Sequence, residues 1–117
     1  MTLEKRRHIR IDSQNLLFVC IGDNNAPVCQ SMGKTLNISE SGILLETHFQ
    51  IDLHQRVWIT IAVTDNLMDL EGKVVHTKEG TGDNFEAGIQ FRDLNDSDLK
   101  LLREFIALFG EEKKGPP

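Results

Sequence analysis

The chain has 117 residues, the size of one ordinary domain, with a net charge of −5 and 39% hydrophobic residues. A chain of this length can bury a core without metal or disulfide support. It has no run of about twenty apolar residues, and Met1 leads into charge rather than an apolar signal region, so we expect a soluble, cytoplasmic protein.

The charge is unevenly distributed along the chain. Four basic side chains and one acidic side chain give residues 1–10 a net charge of +3, which leaves −8 for the remainder. An acidic body argues against broad nucleic-acid binding, which needs a basic face. The composition predicts a basic arm at residues 1–12, a folded domain at residues 13–110 and a disordered polar tail at residues 111–117.

Short apolar runs separated by turn-forming residues predict six β-strands. The predicted strands are residues 14–21, 29–36, 43–47, 56–63, 68–77 and 85–91. The fourth is the clearest, because aliphatic side chains alternate with other residues at period two from Val57 to Val63. Residues 22–25 and 78–84 are rich in Gly, Asp and Asn, which favour turns between strands.

The last element has the period of a helix. Residues 95–98 supply candidate N-cap side chains, and Gly110 follows the last apolar position, so we expect about three turns ending there. The apolar stripe consists of Leu99, Leu102, Phe105, Ile106 and Phe109. The pattern predicts a mostly β fold, a six-stranded antiparallel β-barrel whose C-terminal helix covers an open end or an edge.

Residue types that often carry chemistry show no catalytic spacing. Cys20 and Cys29 have no CxxC arrangement and no secretory context, which favours reduced, strand-buried thiols over a disulfide or metal site. The four histidines lack an HExxH pattern, and no nucleophile motif or phosphate-binding glycine loop is present. The sequence therefore predicts no enzyme, no cofactor and no metal site.

Two short motifs combine groups that recognise a phosphorylated guanine. Arg6 and Arg10 form an RxxxR spacing, and guanidinium groups can donate two parallel hydrogen bonds to a phosphate. In the sequence Asn37-Ile38-Ser39-Glu40-Ser41-Gly42, of the form (D/N)xSxxG, an amide can meet a base edge, a hydroxyl can donate to a phosphate, and glycine permits positive φ or close backbone approach. Either motif alone is common, but their conjunction beside predicted strands is rare.

These motifs resemble the signatures of the PilZ family, whose members bind cyclic di-GMP. The resemblance extends from about Glu4 to Phe109. It includes the segment Ala87-Gly88-Ile89-Gln90-Phe91, which is similar to the last core strand of the family, and the position of the helix. The family fold is a six-stranded antiparallel β-barrel with a C-terminal helix, which agrees with the strand pattern.

The resemblance implies roles for particular residues. Arg6 and Arg10 would contact phosphates and guanine faces, with Arg7 adding charge or stacking, while Asn37 would bind a guanine edge and Ser39 a phosphate. Gly42 would shape the turn. Further candidate ligand contacts are Lys5, Gly88 and Gln90. Asn37 stands where many members have Asp, which we expect to lower affinity, and Lys5 before the RxxxR motif leaves the number of bound ligands open.

The leading hypothesis is a bacterial cyclic di-GMP receptor in which the ligand orders the arm and changes binding to an effector protein. The family's outputs are motility, exopolysaccharide synthesis and adhesion, and the sequence selects none of them. One alternative is a PilZ-like protein-interaction module that binds no nucleotide. The other is a small barrel that binds single-stranded nucleic acid, although such proteins use exposed aromatic residues and this chain has no Tyr and one Trp.

Overall fold

The computed structural model describes residues 15–63 and 66–114, with side chains described up to residue 110. All six predicted strands are present close to their predicted bounds, followed by one helix. The elements are β1 (Asn15–Ile21), β2 (Pro27–Ile38), β3 (Gly42–Thr47), β4 (Arg56–Val63), β5 (Asn66–Glu79), β6 (Phe85–Arg92) and α1 (Asp96–Lys114).

The six strands form a closed antiparallel barrel in the order β1-β2-β3-β6-β5-β4. Neighbours in sequence form four of the six pairs, and the pairs β3–β6 and β1–β4 join strands that are distant in sequence. The predicted fold class is therefore confirmed. Because the barrel is closed, these strands leave no open sheet edge, and the helix has only an end of the barrel to cover.

The barrel interior is filled by the alternating aliphatic side chains that the sequence indicates. On β4, the residues from Val57 to Val63 at every second position are fully or almost fully buried. Leu102, Phe105 and Phe109 of α1 belong to the same apolar cluster. Helix and strands therefore share one core.

The helix begins as predicted but ends later. Asn95 Oδ1 accepts a hydrogen bond from the Asp98 backbone N–H at 2.7 Å, and Asp98 Oδ2 accepts one from the Asn95 N–H at 3.4 Å. This reciprocal pair is a capping box. The prediction that Gly110 ends the helix is wrong, because α1 continues to Lys114, into the segment for which the sequence predicts disorder. A glycine inside a helix costs only about 1 kcal/mol relative to alanine, so it does not by itself end one.

The two cysteines also differ from the prediction. Cys20 and Cys29 form a disulfide, so the prediction of separate reduced thiols is wrong. The two residues lie directly opposite each other on β1 and β2, with Cα atoms 5.1 Å apart. Disulfides require such a Cα separation, and spacing along the chain does not reveal it.

Phe105→Ala should lower the free energy of unfolding by about 3–5 kcal/mol, because it removes a fully buried ring at the junction of helix and barrel. Leu67→Ala is the control, since Leu67 is 76% exposed and should change stability by less than about 0.5 kcal/mol. Urea denaturation measures both values. Equal effects of the two substitutions would contradict the shared core.

Candidate functional site

The NxSxxG turn (residues 37–42) connects β2 to β3 and is closed by its own hydrogen bonds. The Ser39 backbone N–H donates to the Gly42 carbonyl at 2.8 Å. The Ser39 hydroxyl accepts from the Ser41 N–H at 3.2 Å and lies 3.0 Å from the Ser41 hydroxyl. Both serines are exposed. The turn is thus shaped by internal contacts, and its two hydroxyl groups are accessible to a ligand.

Asn37 faces the outside of the barrel because β2 contains a bulge. The register of β2 with β3 shifts between Thr35 and Asn37, which is the signature of an extra residue. Thr35 and Ile38 are buried, whereas Asn37 is exposed. Its Oδ1 accepts a hydrogen bond from the Ile38 N–H at 2.9 Å, which leaves its amide N–H₂ group without a contact in the described chain. The bulge therefore aims an amide away from the core and toward solvent.

Gly42 is required by the neighbouring strand. A β-carbon built at this position would overlap the carbonyl oxygen of Ile89 on β6. The backbone of Gly42 does not adopt positive φ. The sequence suggests two reasons for glycine here, positive φ and close backbone approach. The structure supports the second, because Gly42 packs closely against the backbone of β6.

A groove on the outer face of the barrel is bounded by this turn, β6 and β5. Its volume is about 330 Å³, within the range of small-molecule sites. The predicted residues that line it are Asn37, Ser39, Gly42, Gly88 and Gln90. The structure thus places together all the predicted site residues that it describes.

The groove also contains residues that the sequence did not indicate. Val75 lies in its wall and is 49% exposed. The register of β5 with β6 shifts between Val74 and His76, so a bulge turns Val75 outward. Ser41 also lines the groove, and its place inside the motif could have identified it. No local signal indicates Val75.

The acidic residue of the turn is paired with the helix. Arg103 of α1 donates from Nε to Glu40 Oε2 at 3.1 Å and from Nη2 to Glu40 Oε1 at 3.3 Å. The hydrogen bond and the charge of Glu40 raise the pKa of the Arg103 guanidinium above its ordinary value. This two-point contact joins the turn to α1 and partly neutralises the carboxylate beside the groove.

The predicted arm residues Lys5, Arg6, Arg7 and Arg10 lie outside the described residues. The described chain begins at Asn15, which is directly opposite Lys34 on β2. Lys34 precedes Asn37 by three residues on the same strand. The first described residue therefore lies near the end of the barrel at which the groove lies.

The chain is a small barrel domain with a capping helix and an exposed groove that polar turn residues line. Comparison with protein families identifies which one: the family model for the PilZ domain matches residues 4–108. The chain belongs to the PilZ domain family, whose members are regulatory modules that bind cyclic di-GMP. Among curated protein sequences, none gives a significant match.

Solved structures share the fold. The PilZ domain of CeSA from a cellulose-synthesizing bacterium superposes with a TM-score of 0.58 at 10% identity, covering 88% of this chain and 100% of that chain. The PilZ domain of YcgR from Escherichia coli with c-di-GMP superposes with a TM-score of 0.60 at 12% identity, covering 94% of this chain and 93% of that chain. MrkH of K. pneumonia superposes with a TM-score of 0.61 at 13% identity, covering 92% of this chain and 51% of that chain.

The described residues contain neither a cluster of potential metal ligands nor a membrane-spanning helix. Residues 15–63 and 66–114 contain no group of three or more His, Cys, Asp or Glu side chains that could bind a metal ion. In the same part of the chain, no helix has the length and apolar character needed to cross a membrane.

Gly42→Ala should lower the free energy of unfolding by about 1–3 kcal/mol, because the added methyl group forces β3 away from β6. Thermal or urea denaturation measures the change.

The matched control is Gly110→Ala. Gly110 lies in α1, where an added β-carbon meets nothing within 4 Å, so this substitution should raise stability by up to about 1 kcal/mol. Stability changes of the same sign in the two variants would contradict the close approach of β3 and β6.

Proposed function

We propose that this domain is a receptor for cyclic di-GMP that binds the ligand in the groove beside the NxSxxG turn. The proposal rests on one observation, that a single groove is lined by Asn37, Ser39, Gly42, Gly88 and Gln90. Membership of a cyclic di-GMP-binding family supports the choice of ligand.

The groove supplies polar groups for a base and a phosphate. Asn37 presents its amide at the outer end of the β2 bulge, and hydroxyl groups of Ser39 and Ser41 lie within hydrogen-bonding distance of each other. A guanine edge offers both donors and acceptors, which an amide can match. Gly88 lines the groove and has no side chain to fill it. Asn37 would therefore read the base, and Ser39 a phosphate oxygen.

The arm would supply the positive charge that the groove lacks. None of the described residues that line the groove is charged, whereas the ligand carries two phosphates. An extended chain spans at most about 3.5 Å per residue, so Arg10 lies within about 17 Å of Asn15. The pairing of Asn15 with Lys34 puts Asn37 on the order of 11 Å from Asn15. Arg10 and Arg6 can therefore reach the groove, with Arg7 and Lys5 adding charge beside them.

Binding through the arm residues would couple ligand occupancy to the surface of the domain. A ligand that contacts both arm and turn favours the state in which the arm lies on the barrel. The surface so formed would bind an effector protein, and the proposed role is regulatory rather than enzymatic. The family's outputs, motility, exopolysaccharide synthesis and adhesion, are the candidates for the pathway.

A thermal-shift screen with cyclic di-GMP, cyclic di-AMP, GTP and an oligonucleotide tests the choice of ligand. We expect stabilisation by cyclic di-GMP alone, since a ligand that binds only the native state raises its stability. Stabilisation by none of the four would favour the protein-interaction module, and stabilisation by the oligonucleotide would favour the nucleic-acid binder.

Arg6→Ala or Arg10→Ala should weaken cyclic di-GMP binding by roughly ten- to a hundredfold, because a charge-assisted contact contributes about 1.5–3 kcal/mol. Isothermal titration calorimetry gives the affinity and the number of ligands bound. Lys100→Ala removes one positive charge from the exposed side of α1 and is the control, for which we expect wild-type affinity. If Arg10→Ala also binds with wild-type affinity, the arm is not part of the site.

Arg103→Ala should weaken binding of the same ligand by about two- to threefold, because it leaves the Glu40 carboxylate unpaired beside an anion and charge repulsion is screened at the surface. The double variant Glu40→Gln with Arg103→Ala should return to near wild-type affinity. Titration of the three proteins at low salt measures the effect, and a double variant as weak as the single one would refute this role for the ion pair.

A further inference from the structure

If the groove binds cyclic di-GMP, as the proposed function on which this inference rests requires, the domain must accommodate two phosphate groups. The described residues that line the groove are neutral, and the described chain begins at Asn15, which lies opposite Lys34 near one end of the groove. A cyclic dinucleotide has phosphates on opposite sides of its ring, so one of them faces away from the arm when the other contacts it. Two cations lie on the wall across from the turn, which β5 and β6 form.

Lys73 lies on that wall. Gly42, Gln90 and Lys73 are consecutive cross-strand partners on β3, β6 and β5. Gly72 and Val74 are buried, so alternation along β5 points Lys73 outward, onto the same face as Gln90. With strands about 4.8 Å apart, the Lys73 Cα is roughly 10 Å from that of Gly42. A lysine at this position can extend over Gln90 toward the groove.

Arg92 is the second cation on this wall. It follows Gln90 by two residues on β6, is exposed, and therefore faces the same side. Its cross-strand partner is Glu71, which makes Arg92 a diagonal neighbour of Lys73 at about 7–8 Å. Gln90, which lines the groove, thus has one cationic neighbour on β5, Lys73, and another two residues further along β6, Arg92.

Neither cation is neutralised by the part of the chain that the structure describes. Glu71, the nearest acid in the register, is bound by Arg56, with Nη2 at 3.2 Å from Oε2. No ion pair forms between a described carboxylate and Lys73 or Arg92. Arg56 is also the cross-strand partner of Lys73 on β4, and like charges directly opposite each other destabilise a sheet. Within the described residues, Lys73 and Arg92 are thus cations without an ion-pair partner, on a domain that is acidic outside residues 1–10.

We propose that Lys73 and Arg92 form a second phosphate contact, on the barrel wall across the groove from the turn. The arm binds one phosphate of the cyclic dinucleotide, and Lys73 and Arg92 bind the other across Gln90. In this arrangement the barrel has affinity for the ligand through its own side chains, and the arm residues add to that affinity.

The test compares two double variants that remove the same charge. Lys73→Gln with Arg92→Gln removes the proposed contact. Lys34→Gln with Lys78→Gln removes two cations from the same outer face beyond the groove, where Lys78 pairs with Glu86 at 3.8 Å and Lys34 lies opposite Glu46. Thermal unfolding checks that both variants are folded, and calorimetric titration with cyclic di-GMP at low and high salt measures affinity.

We expect the Lys73/Arg92 variant to bind about five- to thirtyfold more weakly than wild type at low salt, with the difference shrinking at high salt. The Lys34/Lys78 control should lose no more than about twofold. In the arm variant Arg6→Ala with Arg10→Ala, weak binding should persist and should decrease further when Lys73 and Arg92 are also replaced.

Three outcomes would overturn the inference, and they separate it from the proposed function. If wild type binds and the Lys73/Arg92 variant binds equally well, the proposed function stands and these cations serve something else, such as an acidic protein partner. If both double variants weaken binding equally, only the overall charge matters. If wild type binds no cyclic di-GMP, the proposed function fails, and the second phosphate contact fails with it.

Discussion

β3 and β6 are paired in register from Gly42 opposite Gln90 to Thr47 opposite Phe85. The two strands are far apart in sequence, and their pairing joins the β1-β2-β3 meander to the β4-β5-β6 meander. It also brings Gly88 and Gln90 beside the turn that carries Asn37 and Ser39. The close approach at Gly42 is a condition of this pairing, since any side chain there would meet the Ile89 carbonyl. The groove therefore depends on this non-local pairing, which together with the β1–β4 pairing also closes the barrel.

Two bulges give the groove its shape. One in β2 turns Asn37 to the outer face, and one in β5 does the same for Val75. A bulge inserts one residue and reverses the alternation of side chains after it, which allows a strand to keep its core residues and still aim a particular side chain outward. The site is consequently built from irregularities in strands whose remaining residues serve the core.

The electrostatic arrangement follows from the same geometry. The chain is acidic outside residues 1–10, yet the lining of the groove is neutral and the acid nearest to it, Glu40, is paired with Arg103. Cations occur at the rim, on β5 and β6. A neutral lining with cations around it suits a ligand that combines aromatic bases with phosphates, because bases require hydrogen bonds and surface contact while phosphates require charge.

The sequence by itself determined the strands, the start of the helix and the residue types of the turn, because alternation, capping and turn preferences act between neighbours along the chain. Val57 to Val63 and the Asn95 cap are examples. Only the tertiary structure decided that Cys20 faces Cys29, that α1 continues past Gly110, that Asn37 and Val75 point outward, and that Lys73 lies across Gln90 from Gly42. The disulfide, the two bulges and the position of Lys73 depend on register between strands, which no local preference in the chain specifies.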